Sequence, residues 1–132
     1  MKTISVLIPC FNETDNVIPM SEAVVQQFKE NLPQYDYELI FIDNYSTDGT
    51  REKLEYICSR NKKVKAIFNA KNFGQFNSPF YGICQASGVC VVAMSCDFAH
   101  NRLAHGDDII CFVETGNEDT DCLHNILKIL ST

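Results

Sequence analysis

Residues 37–50 read YELIFIDNYSTDGT, an apolar run that stops at Asp43 and is followed by small polar residues. The apolar part is rich in β-branched and aromatic side chains and predicts a buried β-strand. The polar part is typical of a strand-to-helix turn, in which Ser46 or Thr47 caps a helix that runs to about Ser59. A turn does not explain Asp43, whose carboxylate lies at a strand end and can accept hydrogen bonds from a base or a ribose hydroxyl.

Apolar runs and amphipathic stretches alternate on both sides of this segment. The predicted strands are 4–9, 37–42, 64–68 and 89–94, and the predicted helices are 17–32, about 47–59, and 75–87. The order β-α-β-α-β-α-β, with strands that are almost continuously apolar, predicts a Rossmann-like α/β fold with a mostly parallel sheet and helices on both faces. Ligands of such sheets bind at the carboxyl ends of the strands, so the polar residues that follow each strand are the informative ones.

Composition narrows the class of protein. The chain has 132 residues, 45% of them hydrophobic, and a net charge of -6, which fits one globular domain and excludes a basic surface for nucleic acid. The seven cysteines include no C-x-x-C pair, so we expect small buried side chains in the reducing cytoplasm. No stretch approaches the roughly 18 apolar residues of a membrane span.

The loops that follow the strands exclude two common nucleotide-binding classes. The first strand is followed by CFNE at residues 10–13, without the glycines of a dinucleotide fingerprint, and no Walker loop is present. A second carboxylate, Asp97, ends the fourth predicted strand as Asp43 ends the second. Carboxylate oxygens are the ligands that a hard divalent cation prefers, and such a cation offsets the charge of a diphosphate.

These residues resemble the motifs of family 2 glycosyltransferases, which have the GT-A fold. IPCFNE at residues 8–13 looks like the opening motif of the family, and IDNYSTDGT at 42–50 is similar to its second motif, Asp-Asp-Gly-Ser-x-Asp-Gly-Thr. NFGQ at 72–75 resembles the Asn-Phe-Gly signature of the branch that glycosylates polyprenyl phosphates. The segment 86–97 resembles the approach to the metal-binding Asp-x-Asp, so that the resemblance covers about residues 3–98.

The resemblance implies that the chain binds a nucleotide diphosphate sugar for glycosyl transfer, with a polyprenyl phosphate as acceptor, at the inner face of the membrane in a full-length relative. It implies that Asp97 holds Mg²⁺ or Mn²⁺, which bridges the donor diphosphate as a Lewis acid. It assigns contact with the base to Asp43 and names no catalytic residue. The nucleotide-binding residues that it implies are Pro9, Phe11, Glu13, Asp43, Asn72 and Gly74.

The sequence departs from the family pattern near residue 98. Ser95 stands where the first carboxylate of Asp-x-Asp is expected, and AHNRL at 99–103 replaces Gln-Asp-Pro-Pro-Glu. Residues 99–132 hold two basic and six acidic residues, and within them 109–113 predicts a strand. We therefore divide the chain into a nucleotide-sugar-binding portion, 1–98, and a divergent tail, 99–132.

Three functions stay open at this point. The first is glycosyl transfer, for which we expect donor binding to persist and turnover by this chain to be low. The second is a non-catalytic nucleotide-binding fragment of a truncated glycosyltransferase. The third is a signalling receiver-like module, which needs a lysine after a later strand, whereas the tail offers only Lys128, within a predicted helix.

Overall fold

The computed structural model describes residues 2–71, 87–88, 90–94 and 109–112. Its elements are β1 (Thr3–Cys10), α1 (Val17–Asn31), β2 (Asp36–Asp43), α2 (Thr50–Arg60), β3 (Val64–Phe68), β4 (Cys90–Met94) and β5 (Ile109–Phe112). The predicted strands and the first two helices are confirmed to within a few residues, except that α2 begins later than predicted. The third predicted helix, 75–87, lies almost wholly outside the described residues, as does the proposed boundary at 98 and 99.

The strands form one sheet in the order β3-β2-β1-β4-β5. The neighbours β1–β2, β2–β3 and β1–β4 run parallel, and only β5 runs antiparallel, to β4. The prediction of a mostly parallel sheet is confirmed. The strand order reverses at β1, since β2 and β3 lie on one side of it and β4 lies on the other. Sheets with such a reversal bind their ligands in the crevice at the carboxyl ends of the strands around it.

Helices α1 and α2 pack on the same face of the sheet. Apolar residues spaced by about one helical turn, such as Met20 and Val24 on α1 and Leu54 on α2, are buried against β-strand residues that include Phe41. The opposite face has its own apolar cluster, formed by Leu7, Ile40, Ile42, Val91 and Ala93. The sequence predicts helices on both faces, and the third predicted helix, 75–87, lies almost wholly outside the described residues.

A buried carboxylate joins four segments at the amino end of the sheet. Glu38 of β2 accepts hydrogen bonds on Oε2 from the hydroxyl of Ser5 at 2.7 Å and from the backbone N–H of Ser87 at 3.0 Å, while Lys65 of β3 contacts Oε1 at 2.5 Å. The Ser5 hydroxyl in turn accepts a hydrogen bond from the N–H of Gly88 at 2.9 Å. Burial by itself would raise the pKa of this carboxyl group, but the hydrogen bonds from Lys65 and the two serines outweigh it and lower the pKa to about 2.

Gly88 lies too close to β1 to carry a side chain. A Cβ atom there would be 2.7 Å from the Ser5 nitrogen and 2.7 Å from the Thr3 carbonyl oxygen, both of them backbone atoms. The polar group around Glu38 and this close approach together fix where the chain enters β4.

Candidate functional site

The loops that follow β1 and β2 are hydrogen-bonded to each other at the carboxyl edge of the sheet. The N–H of Asn12 donates to the Ser46 hydroxyl at 2.9 Å, and the Thr47 N–H donates to the Asn12 side-chain oxygen at 2.8 Å. The next residue of the β1 loop also bonds to the other segment, since the N–H of Glu13 donates to the hydroxyl of Thr50, the first residue of α2, at 3.0 Å. The two motifs that were recognised separately in the sequence are therefore one continuous structural unit.

Asp48 connects the start of α2 to the β1 loop. Its carboxylate accepts hydrogen bonds from the backbone N–H of Thr50 at 3.1 Å and from the N–H of Thr14 at 3.3 Å. Burial slightly opposes ionisation of this carboxyl group, but the hydrogen bonds from Thr50 and Thr14 lower the pKa of Asp48 below its usual value. Lys53 of α2 donates to the Thr14 carbonyl at 2.6 Å and adds a further connection.

The prediction that Ser46 or Thr47 caps this helix is wrong. The helix begins at Thr50, and its N-cap residue is Gly49, which has no side chain that could accept a capping hydrogen bond. The Ser46 hydroxyl is instead occupied by Asn12, because the two loops lie against each other. Asp48 satisfies the first free N–H of the helix in its place.

Three residues of this unit have left-handed backbone conformations: Asn12 with φ 51°, Tyr45 with φ 72° and Gly49 with φ 99°. Glycine and asparagine adopt this conformation readily, but a tyrosine pays roughly 1–2 kcal/mol for it. Tyr45 stands at the glycine position of the motif that this segment resembles, and glycine would adopt this conformation without strain. The strained tyrosine at this position is a feature of this chain that needs a compensating contact.

Asp43 lies at the end of β2 with its side chain fully buried. Its Oδ2 accepts hydrogen bonds from the Ser46 N–H at 3.1 Å and from Nε of Arg51 at 2.7 Å. Its Oδ1 is buried and has no hydrogen-bond partner, and it is the only such side-chain atom found in the described part of the chain. One oxygen of the Asp43 carboxylate therefore accepts two hydrogen bonds, and the other accepts none from the described residues.

Arg51, in the first turn of α2, contacts two separate segments of the site, the end of β2 with its loop and the end of β3 with its loop. Besides Asp43, its guanidinium donates to the carbonyl oxygen of Asn69, just after β3. The same group lies 5.5 Å from the centre of the Tyr45 ring and 5.3 Å from the centre of the Phe68 ring. Stacking on Arg51 is the contact that the strained Tyr45 gains.

The sequence-predicted residues fall into two groups. Pro9, Phe11, Glu13 and Asp43 lie at or beside the same edge of the sheet, whereas Asn72, Gly74 and Asp97 lie outside the described residues. Phe11 is 47% exposed. The Glu13 carboxylate accepts a hydrogen bond from the Asn16 side chain at 2.7 Å, at the start of α1.

Sequence reasoning missed Arg51, Phe68 and Glu38. A charged residue among the apolar residues of a predicted strand was the available signal for Glu38, since a buried charge needs partners. A tyrosine at a glycine position was a signal that Tyr45 has a special contact. No local pattern indicated Arg51, whose partners come from two separate segments, residues 43–45 and 68–69.

No helix among the described residues is long and apolar enough to cross a membrane. Within the same residues, no group of three or more His, Cys, Asp or Glu side chains could hold a metal ion.

Two cysteines of the described part, Cys10 and Cys58, have thiols that form no disulfide bond. Cys10 is buried. Burial, together with the nearby charge of Glu55, raises the pKa of the half-buried Cys58 thiol, which disfavours the reactive thiolate.

Comparison with known proteins gives the class to which this fold and site belong. The family model of glycosyl transferase family 2 matches residues 5–105, and the chain belongs to that family. Over 94 residues the chain is 32% identical to a bactoprenol glucosyl transferase of Shigella phage SfV. That alignment covers 71% of this chain and 30% of the relative, so the chain spans less than a third of its length.

Solved structures of glycosyltransferases have the same fold. A mannosyltransferase from Pyrobaculum calidifontis, PcManGT, solved with GDP-Man and Mn²⁺, matches with a TM-score of 0.62 at 19% identity, over 71% of this chain and 27% of the neighbour. TarS 1-349 of S. aureus, solved with UDP-GlcNAc, matches with a TM-score of 0.61 at 25% identity, over 74% of this chain and 27% of the neighbour. The predicted GT-A fold is confirmed.

Proposed function

We propose that the chain binds the nucleoside diphosphate part of a sugar donor at the carboxyl edge of the sheet, with Asp43 as the residue that reads the base. The observation that carries this proposal is the buried Oδ1 of Asp43, for which the described residues provide no hydrogen-bond donor. An unsatisfied buried polar group costs about 1–3 kcal/mol, and more when it is charged. A ligand N–H that donates to Oδ1 removes this cost, so the unpaired oxygen favours binding of a ligand that has such a donor.

A carboxylate oxygen selects among bases by the hydrogen that it requires. At the ring nitrogen of their pairing edge, uracil and guanine carry an N–H, whereas cytosine and adenine carry a lone pair that a carboxylate repels. On cytosine and adenine only the exocyclic amino group beside that nitrogen can donate. We therefore propose a UDP- or GDP-linked donor. The neighbouring structures bound to GDP-Man and UDP-GlcNAc support this choice. Because Oδ1 is buried, the base has to displace the side chains that cover it when it enters.

The remaining predicted contacts complete the proposal. Phe11, half-exposed beside Asn12, offers a ring face on which a base can stack. Pro9 and Glu13 would line the same pocket, and the family resemblance adds Asn72 and Gly74.

We also propose a divalent metal, Mg²⁺ or Mn²⁺, with Asp97 as its ligand from this chain. The Mn²⁺ in the mannosyltransferase neighbour supports this proposal. When bound, the metal would offset the negative charge of the diphosphate as the nucleoside diphosphate leaves. Ser95, at the position of the first expected carboxylate, leaves fewer oxygen ligands from the protein.

The acceptor that we propose is a polyprenyl phosphate. The relative from Shigella phage SfV is named for bactoprenol, and the NFGQ motif at residues 72–75 indicates the same branch of the family. A phosphate oxygen is already a nucleophile, so the reaction needs little help from a general base. This would place the reaction at the inner face of the membrane.

Calorimetry with UDP, GDP, CDP and ADP in the presence of Mn²⁺ tests the donor site. We expect UDP or GDP to bind at least about tenfold more tightly than CDP and ADP, which corresponds to one hydrogen bond to a charged group. Equal affinities for all four nucleotides, or no heat from any of them at millimolar concentration with folded protein, would refute the proposal.

Release of nucleoside diphosphate from the donor, with polyprenyl phosphate supplied in detergent, separates transfer from binding. Because Ser95 replaces a carboxylate, we expect turnover well below ~1 per second together with intact donor binding. Binding with no acceptor-dependent release at all would favour the alternative, a nucleotide-binding protein without transferase activity.

A further inference from the structure

Arg51 restricts how Asp43 can face a ligand. A carboxylate at a strand end is otherwise free to turn about its Cβ–Cγ bond and so to change its plane. Here Arg51 and the Ser46 N–H both donate to one oxygen, Oδ2, at 2.7 and 3.1 Å, which fixes that plane and the direction of the second oxygen. The consequence is that only Oδ1 remains for a ligand.

The arginine is itself fixed by contacts that only a guanidinium can make together. It donates to Asp43 and to the Asn69 carbonyl while lying against two rings, Tyr45 and Phe68. The guanidinium is planar and presents several N–H donors in fixed directions, whereas the lysine ammonium is a point charge on a flexible stem. The side chain of Arg51 is 31% exposed, so its contacts rather than burial alone determine its orientation.

We infer that Arg51 is a positioning residue: it holds the Asp43 carboxylate so that one oxygen, Oδ1, is available to accept a hydrogen bond from the base. The Tyr45 and Phe68 rings that stack on Arg51 keep the arginine in place. This inference rests on the proposed nucleotide site. It gives the strained Tyr45 a role, since the ring of that residue holds the arginine that orients the carboxylate. The inference also implies that the loop after β3 influences base selection, because Arg51 donates to the Asn69 carbonyl in that loop.

The test compares each nucleotide with its methylated form, in which the ring N–H is lost. The probes are UDP against 3-methyluridine diphosphate and GDP against 1-methylguanosine diphosphate, and the readout is the ratio of the two dissociation constants. We expect a ratio of about tenfold or more for the unmodified chain with one of the pairs. For Arg51→Lys we expect the ratio to fall to about threefold or less, because the carboxylate is no longer held in one orientation.

Arg60→Lys is the matched control. Arg60 lies on the same helix and stacks on the Tyr56 ring at 5.1 Å, in the same way as Arg51 stacks but at the other end of α2. Among the described residues it makes no contact with Asp43, and we expect this variant to keep the ratio of the unmodified chain. Circular dichroism establishes that each variant is folded.

Phe68→Leu is the second variant, for the case in which Arg51→Lys does not fold. It removes one of the two rings against Arg51 and leaves the hydrogen bonds to Asp43 in place. We expect the ratio to fall by about two- to fivefold, the equivalent of one stacking contact. An unchanged ratio in this variant would overturn the inference.

The outcomes separate the inference from the proposed function. A large ratio that persists in Arg51→Lys, or an equal loss of affinity for both members of a pair, overturns the positioning role and leaves base reading by Asp43 intact. A ratio near one for the unmodified chain, or no binding, overturns base reading and with it the role of Arg51.

Discussion

Two buried carboxylates lie five residues apart on β2, and they differ in how well they are satisfied. Glu38 is 4% exposed and both of its oxygens accept hydrogen bonds, from Lys65 on one side and from Ser5 and Ser87 on the other. Asp43 is completely buried, and only one of its oxygens has a partner. Residues an odd number apart on a strand face opposite sides of the sheet, so the two groups are independent of each other.

The difference indicates that burial alone does not mark a functional carboxylate. The network around Glu38 gives each of its two oxygens at least one donor and fixes the entry into β4. Buried polar groups are nearly always paired in native structures, so the unpaired oxygen of Asp43 calls for an explanation. We therefore assign Glu38 to the stability of the fold and propose Asp43 for ligand recognition.

The largest expected effect is that of Glu38→Ala on stability. The change leaves the Ser5 hydroxyl and the Ser87 N–H without their acceptor and creates a cavity in the sheet. We expect the free energy of unfolding to fall by about 3 kcal/mol. Urea unfolding followed by circular dichroism measures it.

Lys65→Ala is the control for that change. It removes an ion pair whose lysine is 58% exposed but leaves the buried carboxylate its hydrogen bonds from Ser5 and Ser87, so we expect a smaller loss, of about 1–2 kcal/mol. Equal losses in the two variants would mean that the ion pair, rather than the buried hydrogen bonds, carries the stabilisation.

The second prediction concerns how the free energy of unfolding depends on pH. The pKa of Glu38 is lowered from 4.5 to about 2 on folding, so its contribution is fully present above pH 4.5 and is lost as the pH falls toward 2. This shift corresponds to about 3 kcal/mol at neutral pH. Unfolding curves of the unmodified chain and Glu38→Gln should differ most at pH 6–7 and converge near pH 2. A difference that is independent of pH would show that the charge of Glu38 is not what stabilises the fold.

Asp43→Asn should have the opposite profile. We expect the affinity for UDP or GDP to fall about tenfold, since an amide is a weaker acceptor and can present its NH₂ group to the base. The free energy of unfolding should change by about 1 kcal/mol at most, because the amide oxygen of asparagine can still accept the hydrogen bonds from the Ser46 N–H and Arg51. Glu38→Gln, measured beside it at neutral pH, should lose stability and keep its nucleotide affinity. If Asp43→Asn binds nucleotide as tightly as the unmodified chain, Asp43 is a turn residue only.

The smallest expected effect is at Tyr45. Tyr45→Ala removes the ring from Arg51 and keeps the left-handed strain, whereas Tyr45→Gly removes both. We expect the glycine variant to be more stable than the alanine variant by about 1 kcal/mol, in spite of the entropy that glycine adds to the unfolded chain. Thermal unfolding of the two proteins compares them directly. If alanine proves the more stable, the backbone at residue 45 is not strained in solution.

Much of the architecture could be predicted from local pattern. The apolar run 37–42 and the helical spacing of Val17, Met20 and Val24 each report burial on a strand or a helix, and the structure has those elements where they were expected. The end of the predicted strand likewise places Asp43 at the carboxyl edge of the sheet, where it is found. The start of α2 was predicted wrongly, because Ser46 and Thr47 have the chemistry of caps but bond to the β1 loop instead.

The sequence by itself determined the order of the elements, the edge of the sheet that carries the polar loops, and, through its motifs, the family. Only the tertiary structure decided which partners the charged groups have. Arg51 meets Asp43, Asn69 and Phe68, and Glu38 meets Ser5 and Ser87, because separate loops and strands are brought together by packing. The physical reason is that periodicity along the chain reports which side of an element is buried, whereas hydrogen bonds between distant residues depend on how the elements are placed against one another.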